Sequence, residues 1–408
     1  MELIALAKPG FTSLSPDRET VASFDREGRL YAYYRRGVTY RRALDSTLEA
    51  RWHAPPEAGA GRDAAAGHGA AGETSRAGGH DAGSGHRPPT RQRRRLTRQE
   101  AAQVFAEVYG LAAECVSYAS GEVRERLETE ILRWTPERLL AEEERFRRVY
   151  VPISILPPDQ YLSIVLQATE GCTWNRCTFC SFYQDRPFRA KSPEEFAAHV
   201  EAVREFLGRG ALMRKGIFLA DGNALALSQA RLEAMFEIAK AAFPGHAIYS
   251  FVDLYTGERR PVSGWRRLAE LGLKRVYIGM ETGHDELLRF LNKPGSQEEL
   301  IAFVSDLKQA GVLVGLIAMV GVGGAEYREA HAGATVGAIS RMPLGPGDLV
   351  YFSPFVEHPG SVYARRRAEA QLTPMTEAEI EAELRRLARQ VRALGVKAAR
   401  YDIREFIY

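Results

Sequence analysis

Between about residue 160 and Phe352 the chain alternates short apolar runs with amphipathic stretches, and no other feature limits its fold as much. The runs Tyr161–Ala168, Gly216–Ala220, Ala247–Val252, Arg275–Met280, Val312–Val320 and Leu349–Phe352 have strand length and carry almost no charge. Helical spacing fills the gaps, over Ser192–Leu207, Ser228–Phe243, Ser263–Leu271, Asp285–Leu291 and Gln297–Gln309. The first of these helices opens with a Ser cap and a Pro at its first position. Strands that are apolar throughout are buried on both faces, and strands separated by helices pair in parallel. This predicts an α/β fold, a partial (β/α)6 TIM-type barrel over residues 155–360, with ligands gathered at the C-terminal ends of the strands.

The flanking segments differ in character. Residues 1–53 alternate apolar and polar side chains, with Val21–Phe24 and Leu30–Tyr34 separated by Asp25-Arg-Glu-Gly28, which predicts a hairpin in a small β-rich N-terminal unit. Residues 54–95 are dominated by Ala, Gly, His, Arg and Pro and lack large apolar side chains, so a disordered insertion is expected there. Its His68, His80 and His86 read as parts of a solvated linker, and Arg91 and Arg93–Arg95 as a charged lead-in to a helix. Thr97-Arg-Gln-Glu100 spells a capping box, and a helical segment is expected over residues 96–150. Beyond residue 360 a helical extension is expected to residue 408, with a charged amphipathic helix capped at Thr376.

Composition excludes several classes. A hydrophobic content of 45% with 26% charged residues suits a soluble globular chain, and a net charge of +3 does not argue for nucleic acid. The absence of a long apolar run and of a basic leader predicts a cytoplasmic protein that does not contact membrane. There are 4 cysteines, and three of them, Cys172, Cys177 and Cys180, crowd into one short stretch directly after the first predicted strand. Clustered intracellular cysteines read as metal ligands rather than disulfides. A structural zinc site needs a closed set of four ligands, whereas an iron–sulfur cubane held by three thiolates keeps one iron open for chemistry. Cys115, among Ala, Val and Tyr, reads as a small core residue.

The loop Gly171-Cys-Thr-Trp-Asn-Arg-Cys-Thr-Phe-Cys180, with Phe179 just before its last cysteine, resembles the cluster-binding loop of the radical S-adenosylmethionine (radical SAM) superfamily. The usual pattern there is Cys-x3-Cys-x2-Cys, and this chain has one extra residue in the first gap. The resemblance implies a [4Fe–4S] cluster on Cys172, Cys177 and Cys180, with SAM on the open iron and a substrate that loses hydrogen to the radical formed from it. It also implies an electron donor such as flavodoxin or ferredoxin. Asp221, Gly222 and Asn223, after the second strand, stand where the family binds the methionyl ammonium, although Asp-Gly is also ordinary turn chemistry. Glu281, in Gly-Met-Glu-Thr-Gly283, stands where the family binds ribose hydroxyls; the same acid would suit a helix N-terminus. Gly321 and Gly323 end the fifth strand and permit close approach of a cofactor. Lys293 reads as a solvated helix end, and Ser353, Glu357 and His358 as polar residues near the barrel mouth.

The resemblance is nearest to the branch of coproporphyrinogen dehydrogenases, methylthiotransferases and the elongator catalytic subunit. Phe182 stands where the first of these carries a fourth cysteine, and a second cluster would need more cysteines than this chain has. A single-cluster enzyme acting on a small molecule or on RNA is therefore expected. The other reading is a zinc or iron–sulfur interaction module without SAM chemistry, RNA-associated through the arginines up to Arg95.

Overall fold

Leu14, Ala22, Phe24, Leu30 and Leu48 lie on successive N-terminal strands and are fully buried, and along Phe11–Asp17 and Thr20–Phe24 buried positions alternate with more exposed ones. The computed structural model describes residues 3–54, 90–257 and 259–408. It divides into two units, Met1–Glu143 and Glu144–Tyr408.

The first unit is an antiparallel meander of seven strands in sequence order, Ile4–Ala7, Phe11–Asp17, Thr20–Asp25, Leu30–Arg35, Val38–Arg42, Leu48–Ala54 and Thr90–Arg95. The predicted hairpin is its third and fourth strands. Helix Arg98–Cys115 starts at the Thr97 capping box and packs Phe105, Val108, Ala112 and Cys115 into the core, so Cys115 is a core residue. Residues 55–89, most of the expected insertion, lie outside the described residues. Its last part, Thr90–Arg95, is a strand paired with Leu48–Ala54, not a linker. Arginines are tolerated there because an edge strand leaves its charged side chains in water.

The second unit carries the α/β core. Its seven strands, Ile164–Gln167, Ile217–Ala220, Ile248–Phe251, Leu273–Glu281, Leu313–Val320, Leu349–Pro354 and Lys397–Arg400, pair in parallel and in sequence order. The first, second and sixth are buried at every position, as a sheet covered on both faces requires. Helix Pro193–Leu207 begins at a Ser192 capping box with Pro at its first position, and helix Gln297–Gln309 has the predicted limits. The seventh strand corrects the expected six. Helix Glu377–Ala393 is no surface extension but the crossover from the sixth strand to the seventh. The C-terminal segment also closes the first edge: Val165 N donates to the Tyr408 hydroxyl (3.0 Å), which donates to Ser163 O (3.0 Å).

Asp348 ties together two interior strands of this sheet. Its buried carboxylate accepts from Lys308 Nζ (2.6 Å), Val314 N (2.7 Å) and Gly345 N (2.8 Å), and so joins the fifth and sixth strands. Asp348→Ala strands two backbone donors and an ammonium. It should lower the unfolding free energy by about 3 kcal/mol, seen as a lower urea midpoint with unchanged slope.

Candidate active site

Parallel pairing points every strand's C-terminal end at the same edge, and three of the chain's four cysteines are found there. The loop after the first strand has no regular structure and is held by its neighbours. Thr178 N donates to Leu291 O (2.9 Å), Tyr363 N to Thr178 O (3.0 Å), and Trp174 Nε1 to Asn292 O (2.8 Å). Asn175 Nδ2 donates back to Tyr183 O (2.8 Å), which folds the loop on itself.

Cys172, Cys177 and Cys180 line one cleft with Phe179, Gly222, Asp253, Glu281, Lys293 and Ser353. The cleft opens to solvent and holds about 1150 Å³ of empty space with its open mouth included. Its deeper walls are apolar, formed by Phe251, Ile317, Met319 and Phe355. Tyr401 and Ile403, just after the seventh strand, complete it.

Desolvation pushes the Cys177 thiol up to about 12 and Cys180 to about 11. Groups this reluctant to ionise become thiolates when a metal takes the proton's place. Among the described residues no three Cys, His, Asp or Glu side chains are arranged to hold a single metal ion.

Glu281 occupies a register shift in the fourth strand and has φ 57°, which turns its carboxylate into the cleft. It accepts from Lys293 Nζ (3.3 Å). Burial works against the Lys293 ammonium, but the adjacent Glu281 and Cys177 outweigh it and raise its pKa. Lys293 is thus a buried cleft residue and not the solvated helix end expected from Leu-Asn-Lys-Pro-Gly295; only the shifted strand reveals its partner. Gly279 makes room for the pair, since a Cβ there would lie 2.3 Å from Glu281 Oε1 and 3.2 Å from Lys293 Nζ.

The other sequence candidates divide. Gly222 lines the cleft under Tyr183, whose ring would be 2.7 Å from a Cβ at that position. The Asp221 carboxyl is placed toward the cysteine loop, accepting from Gly171 N (3.4 Å) with Arg186 Nε at 4.0 Å. Asn223 is fully buried, and its Nδ2 donates to Thr173 Oγ1 (2.9 Å) and to Asp253. Gly321 and Gly323 pack against Ile380 and against Tyr327 and Leu287, and Gly323 N donates to the Tyr363 hydroxyl (2.9 Å). Their close approach is to the protein's own side chains. Ser353 and His358 line the cleft, whereas Glu357 accepts from Arg367 (2.8 Å). Asp253, Tyr183 and Tyr401 carry no signal beyond their position just past the motif or strand.

Three thiols, a carboxylate and an ammonium thus meet in one cleft at the C-terminal edge of a parallel α/β sheet. Residues 166–332 match the family model of the radical SAM superfamily. Members of that superfamily carry a [4Fe–4S] cluster and use SAM. Such enzymes need a reductant. Among the described residues no helix is long and apolar enough to cross a membrane.

Similar solved structures include coproporphyrinogen III oxidase HemN from Escherichia coli, at 14% identity and TM-score 0.42, covering 62% of this chain and 56% of that one. Methylornithine synthase PylB has 15% identity and TM-score 0.39, covering 74% and 85%. The cobalamin-dependent SAM radical enzyme OxsB with aqua-cobalamin bound has 14% identity and TM-score 0.38; the match covers 61% of this chain and spans only 33% of OxsB. No curated protein matches the sequence.

Burial raises the Asp221 carboxyl to about 7, with Arg186 opposing the rise. In the unfolded chain the group ionises near its ordinary value, so between about pH 4 and 7 the folded state holds a proton that the unfolded state has lost. Stability of the metal-free protein should therefore fall as pH rises through that window. Asp221→Asn keeps an acceptor for Gly171 N and should flatten the fall, measured as urea midpoints between about pH 5 and 8.

Proposed function

We propose that this protein is a single-cluster radical SAM enzyme that holds its [4Fe–4S] cluster on Cys172, Cys177 and Cys180. The observation that carries the reading is that these thiols share one cleft with the Glu281–Lys293 pair at the C-terminal edge of the sheet. When bound, the cluster and SAM supply one-electron cleavage of the sulfonium and removal of hydrogen from substrate by the radical so formed.

The chain's own groups position and shield that chemistry. Glu281 accepts from the ribose hydroxyls, and Lys293 holds it in place while offering an ammonium to the methionyl carboxylate. Gly222 and Phe179 flank the ligand, with backbone approach at Gly222 eased by its missing side chain. Asp221 positions the cluster loop through Gly171, and Asn223 orients Asp253, which takes the methionyl ammonium. Phe251, Ile317, Met319 and Phe355 receive an apolar part of the substrate and exclude water from the reacting atoms. The electron comes from a low-potential carrier such as flavodoxin or ferredoxin.

Anaerobic reconstitution with iron and sulfide tests the ligand set. The wild type should gain broad absorption near 400 nm, an approximate position for iron–sulfur charge transfer, and with dithionite and SAM should release 5′-deoxyadenosine. Cys172→Ala, Cys177→Ala and Cys180→Ala should each abolish the product and lower bound iron, while Cys115→Ala retains both. A wild type with a full cluster and no 5′-deoxyadenosine would refute the assignment.

Gly279→Ala tests the nucleotide side. The new methyl displaces Glu281 from Lys293, so SAM affinity of the reconstituted protein should fall about tenfold, or roughly 1.4 kcal/mol. Equilibrium dialysis reads the loss, and iron content should not change.

A further inference from the structure

We propose that Arg176, Arg289, Arg365 and Arg366, around the outer side of the cysteine loop, form the docking surface for an acidic one-electron carrier protein. The proposal rests on the radical SAM reading of the cleft.

Two short helices, Asp285–Phe290 and Val362–Glu369, clamp the loop through the backbone bonds of Thr178. Arg289 lies on the first, Arg365 and Arg366 on the second, and Arg176 on the loop itself, where Asn292 Nδ2 donates to its carbonyl (2.8 Å). All four side chains are exposed. Among the described residues none of them forms an ion pair with a carboxylate: Arg365 donates to Gly360 O (2.8 Å), Arg366 to Phe290 O (2.8 Å), and Arg176 lies over Trp174. Nearby acids are engaged elsewhere. Asp285 accepts from Gln297 N (2.8 Å), Glu286 from the Tyr327 hydroxyl (3.1 Å), Glu357 from Arg367 (2.8 Å), and Asp185 pairs with Arg186 (3.2 Å). Asp285, Glu286 and Glu369 are exposed and add negative charge beside the arginines, the first two accepting from neutral donors.

The four arginines outnumber these three acids, and among the described residues no carboxylate pairs with their guanidinium groups, which leaves them able to pair with carboxylates of a partner, the exchange that steers encounter between oppositely charged proteins. It also lies next to the cluster ligands. A surface depression lined by Thr178, Gln184 and Arg365 includes Cys180 and Phe179, which line the main cleft as well. A carrier seated there would face the outer side of the cysteine loop. A protein partner can set its own cations against the interleaved Asp285 and Glu286, which a uniformly anionic phosphate backbone cannot, so the patch favours a protein over a nucleic acid. In the step served, the carrier is oxidised by one electron, the cluster is reduced by one, and no bond forms or breaks.

The test compares wild type with the double variant Arg176→Glu/Arg289→Glu, whose side chains donate no described hydrogen bond. Two readouts are taken: binding of a purified acidic flavodoxin by calorimetry, and 5′-deoxyadenosine formation driven either by reduced flavodoxin or by dithionite. The variant should bind flavodoxin at least about tenfold more weakly, and wild-type binding should weaken between about 50 and 300 mM salt. Flavodoxin-driven turnover should fall in step, while dithionite-driven turnover stays within about twofold. Unchanged flavodoxin binding overturns the docking surface alone. Equal losses with both reductants also overturn it, since the arginines would then be supporting the loop. Loss of binding to a short RNA with flavodoxin turnover intact assigns the patch to nucleic acid and overturns it too. A fully loaded wild type inert to dithionite overturns the enzyme reading and the docking surface with it.

Discussion

Backbone hydrogen bonding between consecutive strands, all running the same way, is what assembles this site. In a parallel sheet every strand must be re-entered from the opposite edge, so each connection that leaves a strand's C-terminal end emerges on the same side. Cys172 follows the first strand, Gly222 the second, Asp253 the third, Ser353 ends the sixth and Tyr401 follows the seventh. These residues are far apart in the chain and share a cleft because register leaves them no other place. The apolar strands that enforce the pairing also supply the cleft's walls, so folding and water exclusion draw on the same side chains.

The register shift at Glu281 is the one interruption in the fourth strand's pairing with the fifth, and it puts charge into that apolar space. Burying a carboxylate and an ammonium is costly even when they pair. A left-handed φ at a non-glycine residue adds a further cost of order 1 kcal/mol. Neither feature serves packing, since Gly279 has to give up its side chain to accommodate the pair. Lys293 reaches the cleft because the helix before it ends there, with Lys293 N donating to Leu288 O (3.0 Å). A strained acid and a buried base held together at the mouth of a barrel are features that a binding site explains and a core does not.

Much of this was legible in the residues. The apolar runs located six strands because burial on both faces leaves little room for polar letters, and the Ser192 and Thr97 caps marked helix starts by their hydrogen-bonding chemistry. The cysteine loop stood out through residue type and spacing, and its three thiols line one cleft. What escaped lacked a local signal. Lys397-Ala-Ala-Arg400 has no β-branched or aromatic residue and becomes a strand because the sixth strand offers an open parallel edge. Thr90–Arg95 reads as a charge run and is a strand for the same kind of reason. The glycines at 321 and 323 look like a ligand cradle in sequence, but the side chains they admit, Ile380 and Tyr327, are this chain's own. The Glu281 partner of Lys293 and the Gly171 contact of Asp221 had no signal in the sequence, because which way a loop side chain turns depends on contacts that no spacing encodes.

The cysteine loop is closed at its base by the short antiparallel pair Thr169–Glu170 and Arg189–Ala190, and beyond that pair its precision must come from what surrounds it. Phe179 packs against Leu287, Leu291, Met319, Val322 and Tyr363, a small apolar cluster separate from the main core. The Thr178 backbone ties the loop to the ends of two helices. The same cluster therefore seats the loop, the helix bearing Arg289 and the helix bearing Arg366 as one body. Groups that hold the metal ligands are thus the groups that present the exposed arginines. Positioning an electron's entry point and positioning its destination become a single packing problem. With buried thiols that resist ionisation, the loop is pre-shaped by apolar contacts and backbone bonds before any metal arrives. Cluster assembly then exchanges protons for iron within a frame that already exists.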